Sequence, residues 1–208
     1  MSVQDNFKAR LSDILIASSP RSGTTWLKAL VFTLLNRNPE NPKSNHVMFA
    51  ANPHEYVPFL EIQLYAKNRI PNLDVMPSPR LLATHIPYSS LPESAKDSGC
   101  RIVYISRDIK DIFVSLWHFV NEVRRDMKKA ISLKEAFESY CNGVSVYRPI
   151  WDHQLGYLKA SVARPQCVVF LRYEEMMEDP VSEVKRLSEF LGCPFSEDEE
   201  KGGGWRRL

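Results

Sequence analysis

The chain has 208 residues, 44% hydrophobic and 25% charged, and this composition is ordinary for a globular protein. The formal net charge of +2 excludes a strong general attraction to nucleic acid or an anionic membrane, so any anion site must be local. No apolar run reaches the roughly 20 residues of a membrane span, the polar start is unlike a signal peptide, and the four cysteines form no C-x-x-C pair. These features predict one cytoplasmic domain over residues 1–208, without a zinc site or a disulfide framework, and with neither nucleic acid nor membrane as a partner.

Apolar runs alternate with helical patterns along the chain. This alternation predicts an α/β fold, a mainly parallel central sheet flanked by helices. The first unit is a buried strand at Asp13–Ser18, a loop at Ser19–Gly23 and a helix at Thr24–Asn36. The apolar residues of the helix are spaced to share one face. They are Trp26, Leu27, Leu30, Val31, Leu34 and Leu35.

The rest of the chain continues this pattern. Proline and asparagine in Asn38–Ser44 predict a loop, and Glu55–Lys67 is predicted to be a helix. Asp179 and Pro180 are typical of a helix start. The other predicted elements are a loop at Asn68–Pro79, strands at Arg80–Thr84, Arg101–Ser106 and Cys167–Leu171, and helices at Asp111–Asp126, Leu133–Asn142, Tyr147–Leu158 and Pro180–Leu191.

The loop between the first strand and the first long helix reads SSPRSGTTW. A glycine permits a tight turn, and free N–H groups at a helix start favour an anion. Thr24 and Thr25 add hydroxyl donors, and Arg21 adds a fixed charge. A Walker A loop would need G-x-x-x-x-G-K-[ST], whereas here one glycine is present and the basic residue precedes it. A simple turn with a helix cap remains the alternative.

A histidine, His85 in ATHIP, follows the predicted strand at Arg80–Thr84. Ligands of open α/β sheets gather outside the carboxyl ends of the strands, and imidazole suits a general base near neutral pH. A lone histidine, however, is more often a surface or structural residue. Of the other histidines, His118 lies within a helix and is predicted to be structural, and three carry no signal: His46, His54 and His153.

Two more strand ends carry polar residues. Arg107 follows the third strand in VYISRDIKDIFVS, and Ser115 lies eight residues later on the next helix. A guanidinium can bind phosphate through two parallel hydrogen bonds. Tyr173, in LRYEEM, follows the fourth strand. The alternatives are a surface arginine, a helical serine and a buried tyrosine.

These strings resemble motifs of the cytosolic sulfotransferase family. PRSGTTWLKAL is similar to the family's P-K-S-G-T-T-W-L segment, ATHIP to its catalytic histidine motif, and RDIKDIFVS to its 3′-phosphate motif. Three segments are most similar in sequence to the plant branch of the family: SSPRSGTTWLKAL, NPHEYVPFLE and ATHIPY. The resemblance covers about Asn6 to Lys201 and implies a sulfotransferase fold whose layout is related to that of nucleotide kinases.

The resemblance also implies a reaction. A sulfonate would pass directly from 3′-phosphoadenylyl sulfate (PAPS) to a hydroxyl of a small acceptor, with no metal required. His85 would be the base, Arg107 and Ser115 would bind the 3′-phosphate, and Tyr173 would contact the adenosine. The loop around the 5′-phosphosulfate would consist of Arg21, Ser22, Gly23, Thr24, Thr25 and Trp26, with Trp26 stacked on adenine and Arg21 stabilising charge on the leaving phosphate.

Two departures from the family pattern bear on activity. Arg21 stands where the family usually has lysine; its planar, forked group is expected to preserve phosphate binding and lower the rate. Family members also carry an N-terminal part of the acceptor pocket and a C-terminal loop that closes over the 3′-phosphate. Gly202–Leu208 resembles that loop only superficially, because it arrives early and its basic residues follow the glycines. Since each lost charged contact is worth about 1.5–3 kcal/mol, weak PAPS binding and slow turnover are expected of a domain truncated at both ends.

The sequence is compatible with three other functions. The chain could be an ATP-dependent phosphotransferase, against which the missing Walker lysine argues. It could be an inactive sulfotransferase remnant that still binds nucleotide. A purely structural protein would leave the clustered anion motifs without a role. Neither the acceptor nor the oligomeric state can be read from the sequence.

Overall fold

The computed structural model describes residues 2–37, 52–124, 130–147 and 149–201. Within them, a four-stranded sheet has the order β2-β1-β3-β4, and every pairing is parallel. The predicted α/β class is therefore confirmed, and the carboxyl ends of these strands share one edge of the sheet. The strands are β1 (Ile14–Ser18), β2 (Leu81–Thr84), β3 (Arg101–Ser106) and β4 (Val168–Arg172).

Helices cover the sheet. Those in the described ranges are α1 (Ser2–Asn6), α2 (Thr24–Asn36), α3 (Pro53–Tyr56), α4 (Glu93–Asp97), α5 (Ile109–Val123), α6 (Leu133–Cys141), α7 (Ile150–Ala163), α8 (Tyr173–Glu178), α9 (Pro180–Phe190) and α10 (Glu197–Lys201). Asp179 caps α9 as predicted, because its carboxylate accepts from the Ser182 N–H and Pro180 opens the helix. Among the helices in these ranges, none combines the length and apolar character needed to cross a bilayer.

Alternate strand residues belong to two hydrophobic clusters. In β1, Leu15 and Ala17 join a cluster with Tyr157 of α7, whereas Ile14 and Ile16 join another with Leu27 of α2. Side chains of a strand alternate between its faces, so each cluster covers one side of the sheet. Burial on both sides explains why these strands read as continuous apolar runs.

The predicted helix at Glu55–Lys67 is wrong. The chain instead forms α3, an extended stretch through Phe59, a π-helical turn at Leu60–Leu64 and a 3₁₀ turn at Ala66–Asn68. Pro58 causes the break, because proline lacks an N–H and disfavours helical geometry in the residue before it. The Pro58 carbonyl accepts instead from the Ala83 N–H at 2.9 Å, beside β2.

Other predicted boundaries shift by a few residues. The helix predicted at Asp111–Asp126 starts earlier, at Ile109, because the Asp108 side chain caps it by accepting from the N–H groups of Lys110 and Asp111. The helix predicted at Tyr147–Leu158 is Ile150–Ala163, starting after Pro149. The predicted loop at Asn68–Pro79 contains a short 3₁₀ turn at Leu73–Val75. Asn38–Ser44, His46, Asp126 and Gly202–Leu208 lie outside the described residues.

A buried ion pair ties β1 to β2. Arg80 donates from Nε to Oδ1 of Asp13 at 2.8 Å and from Nη2 to Oδ2 at 2.5 Å, and the two side chains are 3% and 0% exposed. Arg80→Met would leave a buried carboxylate without its partner, so we expect a loss of about 3–5 kcal/mol in the free energy of unfolding, measured in urea. Arg186→Met, which breaks the exposed pair with Glu183, should cost no more than about 1 kcal/mol. Similar losses in the two variants would contradict this assignment.

Candidate active site

The loop from Ser19 to Gly23 turns sharply between β1 and α2. Arg21 has φ 69° and Gly23 has φ 97°, both in the left-handed region. A Cβ on Gly23 would lie 3.1 Å from Cδ2 of Tyr173, so glycine is required here for both its conformation and the close approach. The turn leaves the first N–H groups of α2 at the carboxyl edge of the sheet.

The two threonines of the loop differ in direction. Thr24 is buried, and its hydroxyl forms a hydrogen bond of 2.6 Å with Oγ of Ser18. Ser19 and Ser22 form a second buried hydroxyl pair, also at 2.6 Å. Thr25 is exposed. Of the two threonine hydroxyls predicted as donors, the Thr25 hydroxyl is thus open to a ligand, while the Thr24 hydroxyl braces the loop against β1.

Arg21 joins the loop to α5. Its Nε donates to Oγ of Ser115 at 3.0 Å, and its guanidinium lies 5.1 Å from the ring centre of Phe119. The residues predicted for the two ends of the nucleotide are therefore in contact across the site.

Arg107 lies on the other side of the same edge. It pairs with Asp111 at 3.1 Å, and its guanidinium carbon lies 5.0 Å from the ring centre of Tyr173. Its Nε is buried and has no hydrogen-bond partner. A buried donor left in this way costs about 1–3 kcal/mol, and a phosphate oxygen is an acceptor that would satisfy it.

Two aromatic residues connect the loop to Arg107. Trp26 lies edge-on to Tyr173, with ring centres 6.3 Å apart, and Tyr173 packs on Gly23. Trp26 is 37% exposed, so it does not share the buried face of α2 that its spacing predicted. Its exposed ring is available to a flat ligand at this edge. All the predicted nucleotide-binding residues thus lie in one continuous region.

His85 lies just past β2, and its hydrogen bonding selects one tautomer. Nδ1 of the His85 ring lies 2.8 Å from the carbonyl oxygen of Ser18. A carbonyl oxygen can only accept, so Nδ1 carries the hydrogen and Nε2 carries the lone pair. That lone pair is what a general base uses to take a proton.

Burial keeps the His85 ring neutral. The side chain is 8% exposed, and desolvation lowers the pKa of His85 from 6.5 to about 4, against the opposing effect of the Ser18 hydrogen bond. Two aromatic rings border it, that of Phe59 at 4.6 Å and that of Tyr147 at 5.4 Å between ring centres. An apolar molecule would fit such surroundings.

This shift in the pKa of His85 can be measured. In a histidine-labelled NMR titration, His85 should titrate near pH 4 in the folded protein and near 6.5 in urea. Because the unfolded chain binds the proton more readily, the contribution of His85 to the free energy of unfolding should fall as pH drops from 6.5 towards 4. A folded-state midpoint near 6.5 would contradict the buried position.

The backbone of His85 is held by side chains that the sequence did not reveal. Glu61 accepts from the His85 N–H at 2.6 Å, and Nε2 of His153 donates to the His85 carbonyl at 2.9 Å. His153 Nδ1 must then accept from the Tyr104 hydroxyl, 2.9 Å away. Burial raises the pKa of Glu61, while its hydrogen bonds from His85 and Thr84 act in the opposite direction. These contacts span 24 to 68 residues of sequence, so no local pattern predicts them.

A buried lysine lies behind the loop. Lys28 is 0% exposed; its Nζ lies 3.0 Å from Nδ1 of His54 and 3.4 Å from the ring centre of Phe59. Desolvation lowers the pKa of Lys28 to about 7, while Glu61 acts in the opposite direction. Its position within an apolar-patterned helix gave no indication of a role in the site.

The fold and this edge define a class: a parallel α/β protein with a phosphate-type loop and a second basic group beside it. The sulfotransferase domain family model matches residues 11–201. The chain is 44% identical over 206 residues to cytosolic sulfotransferase 15 of Arabidopsis thaliana, covering 98% of this chain and 57% of that protein. It is 47% identical over 201 residues to a flavonol sulfotransferase-like protein of Flaveria bidentis, covering 96% of this chain and 63% of that one.

Solved structures agree with these sequence matches. A crystal structure of an Arabidopsis thaliana protein described as a candidate steroid sulphotransferase superposes with a TM-score of 0.84 at 43% identity, covering 99% of this chain and 70% of that one. Mouse sulfotransferase SULT7A1, complexed with PAP, gives a TM-score of 0.75 at 26% identity, covering 100% and 68%.

The chain belongs to the sulfotransferase family, and several of its Arabidopsis thaliana relatives are named as cytosolic sulfotransferases. This confirms the family inferred from the PRSGTTWLKAL, ATHIP and RDIKDIFVS strings. The chain spans about three fifths of the length of the curated relatives that it matches.

Proposed function

We propose that the protein transfers a sulfonate from PAPS to a hydroxyl of a small acceptor. One observation carries the proposal: two basic residues lie in or beside the same loop, Ser19–Gly23, here called the phosphate loop. Arg21 of this loop donates to Ser115. The turn at Gly23 contacts Tyr173, on which Arg107 stacks. Two basic groups thus flank one aromatic surface, as a nucleotide with phosphates at its two ends requires. The presence of PAP in the mouse relative supports the same ligand.

The donor would be held by the residues of this edge. The N–H groups at the start of α2, the Thr25 hydroxyl and Arg21 would bind the 5′-phosphosulfate, with Ser22, Gly23 and Thr24 shaping the turn. Arg107 and Ser115 would bind the 3′-phosphate, and the unpartnered Nε of Arg107 suits this role. Trp26 and Tyr173 would contact the adenosine.

His85 would remove the acceptor proton. As the acceptor oxygen bonds to sulfur, its hydrogen passes to Nε2 of His85, and the bond from sulfur to the bridging oxygen breaks to release 3′,5′-ADP. Arg21 would stabilise the charge that develops on the leaving phosphate. Glu61 and His153 would keep the base in place through the His85 backbone.

The acceptor is proposed to be a flat or apolar hydroxylated molecule, because Phe59 and Tyr147 border His85. The names of two relatives refer to a flavonol and a steroid, which are molecules of this kind. We place the reaction in the cytosol on the names of the plant relatives, within a single sulfotransferase domain.

The direct test is transfer from ³⁵S-labelled PAPS to a panel of flavonols, steroids and simple phenols, with γ-labelled ATP in parallel. Labelled sulfate ester from PAPS and no phosphorylated product from ATP is the expected result. Phosphate transfer would identify a phosphotransferase instead. Binding of 3′,5′-ADP without any labelled ester would favour a family member that binds nucleotide and does not turn over.

A further inference from the structure

Lys28 occupies an unusual position for a lysine. It is fully buried in α2, one turn after the phosphate loop, and packs against the face of Phe59 at 3.4 Å from the ring centre. Burying an ammonium group away from water is costly unless hydrogen bonds or charges compensate for it. Its Nζ lies within hydrogen-bond distance, 3.0 Å, of Nδ1 of His54, on α3.

When Lys28 carries its charge, the hydrogen bonds that follow have a fixed direction. A charged lysine can only donate, so Nδ1 of His54 accepts and Nε2 of His54 must carry the hydrogen. Nε2 lies 3.3 Å from Oγ1 of Thr25 and therefore donates to it. With that lone pair of Oγ1 occupied, the Thr25 hydroxyl hydrogen is free to point away from His54, into the site.

The arrangement requires a neutral His54. A protonated ring would carry hydrogens on both nitrogens and would face the Lys28 ammonium with a like charge. Partial burial and the Lys28 charge both lower the pKa of His54, which favours the neutral ring. Glu61 and His85 are the other titratable groups that interact with Lys28.

We propose that Lys28 is a positioning residue for the sulfonate donor: acting through His54, it orients the Thr25 hydroxyl as a hydrogen-bond donor towards the 5′-phosphate group. The relay consists of Lys28, His54 and Thr25. It rests on the proposed function, since it gives a purpose to the one loop threonine whose hydroxyl is exposed. Thr24 needs no such relay because Ser18 already holds its hydroxyl.

A purely structural role for Lys28 makes a different prediction. If its contact with Phe59 only fills space, removing the amine should destabilise the fold and weaken ligand binding regardless of what stands at residue 25. The relay predicts instead that the effect of Lys28 on binding depends on the Thr25 hydroxyl. A double-mutant cycle separates the two.

The test uses Lys28→Met, Thr25→Val and the double variant, each titrated calorimetrically with 3′,5′-ADP, the nucleotide product. Each single change should weaken binding at least fivefold. In the Thr25→Val background, Lys28→Met should add less than a twofold loss. Lys185→Met, on α9, is the control for loss of a lysine, and thermal unfolding monitors the fold.

The outcomes distinguish the two proposals. The relay would be overturned if the loss of affinity in the double variant equalled the product of the two single losses. Full affinity in Lys28→Met would overturn it as well. If Lys28→Met does not fold, His54→Phe replaces it in the cycle, since a phenyl ring keeps the stacking on Phe59 without either nitrogen. If the wild-type chain fails to bind 3′,5′-ADP, the proposed function itself fails, and the relay fails with it.

Discussion

His85→Asn is expected to lower kcat by about 100- to 10,000-fold, the range typical for loss of a general base. The asparagine amide can still donate to the Ser18 carbonyl, as Nδ1 does in the native protein. It has no nitrogen lone pair with which to take the acceptor proton. The measurement is the rate of sulfonate transfer from PAPS at saturating acceptor.

The same variant should bind 3′,5′-ADP with nearly native affinity, because in the proposed reaction His85 would act on the acceptor and not on the nucleotide. His118→Asn is the matched control: His118 is exposed on α5, and its replacement should leave kcat within about twofold. Turnover of His85→Asn close to that of the control would remove His85 from the mechanism.

Arg107→Ala should weaken the binding of 3′,5′-ADP by about 10- to 100-fold. Hydrogen bonds to charged groups are worth about 1.5–3 kcal/mol, and each 1.4 kcal/mol is a factor of ten. The affinity for 5′-AMP should hardly change, since that nucleotide lacks the phosphate that Arg107 would bind. Calorimetric titration of both nucleotides measures the difference.

Arg172→Ala provides the control for this second experiment. Arg172 ends β4, its side chain is 60% exposed, and it pairs with Glu175 at 3.2 Å. Its loss should alter the binding of neither nucleotide. Equal weakening of 3′,5′-ADP and 5′-AMP by Arg107→Ala would contradict a specific role at the 3′-phosphate and would indicate a general effect of charge or of Tyr173 packing.

Local signals explain what the sequence could predict. A buried strand, a glycine turn and a helix start lie within a dozen residues around Gly23, and each follows from neighbouring side chains. The same holds for Arg107 after β3 and for Tyr173 after β4. Parallel pairing then brings their carboxyl ends to one edge, so the gathering of these residues follows from the fold class.

The supporting side chains depend on contacts that are distant in sequence. Glu61 reaches the His85 backbone only because Pro58 breaks the predicted helix and lays Phe59 beside β2. His153 reaches the same backbone from α7, 68 residues away. Lys28 lies among the apolar residues of α2, and its side chain is buried against Phe59 and His54. No spacing rule within one element identifies such partners.

The proposed function requires that one nucleotide contacts both the loop at Gly23 and Arg107. A calorimetric comparison of 3′,5′-ADP with ATP on the wild-type chain tests this requirement directly. The two ligands share adenosine and a 5′-phosphate, and they differ in where the remaining phosphates stand. At least tenfold tighter binding of 3′,5′-ADP is the predicted result. Equal or tighter binding of ATP would contradict the account.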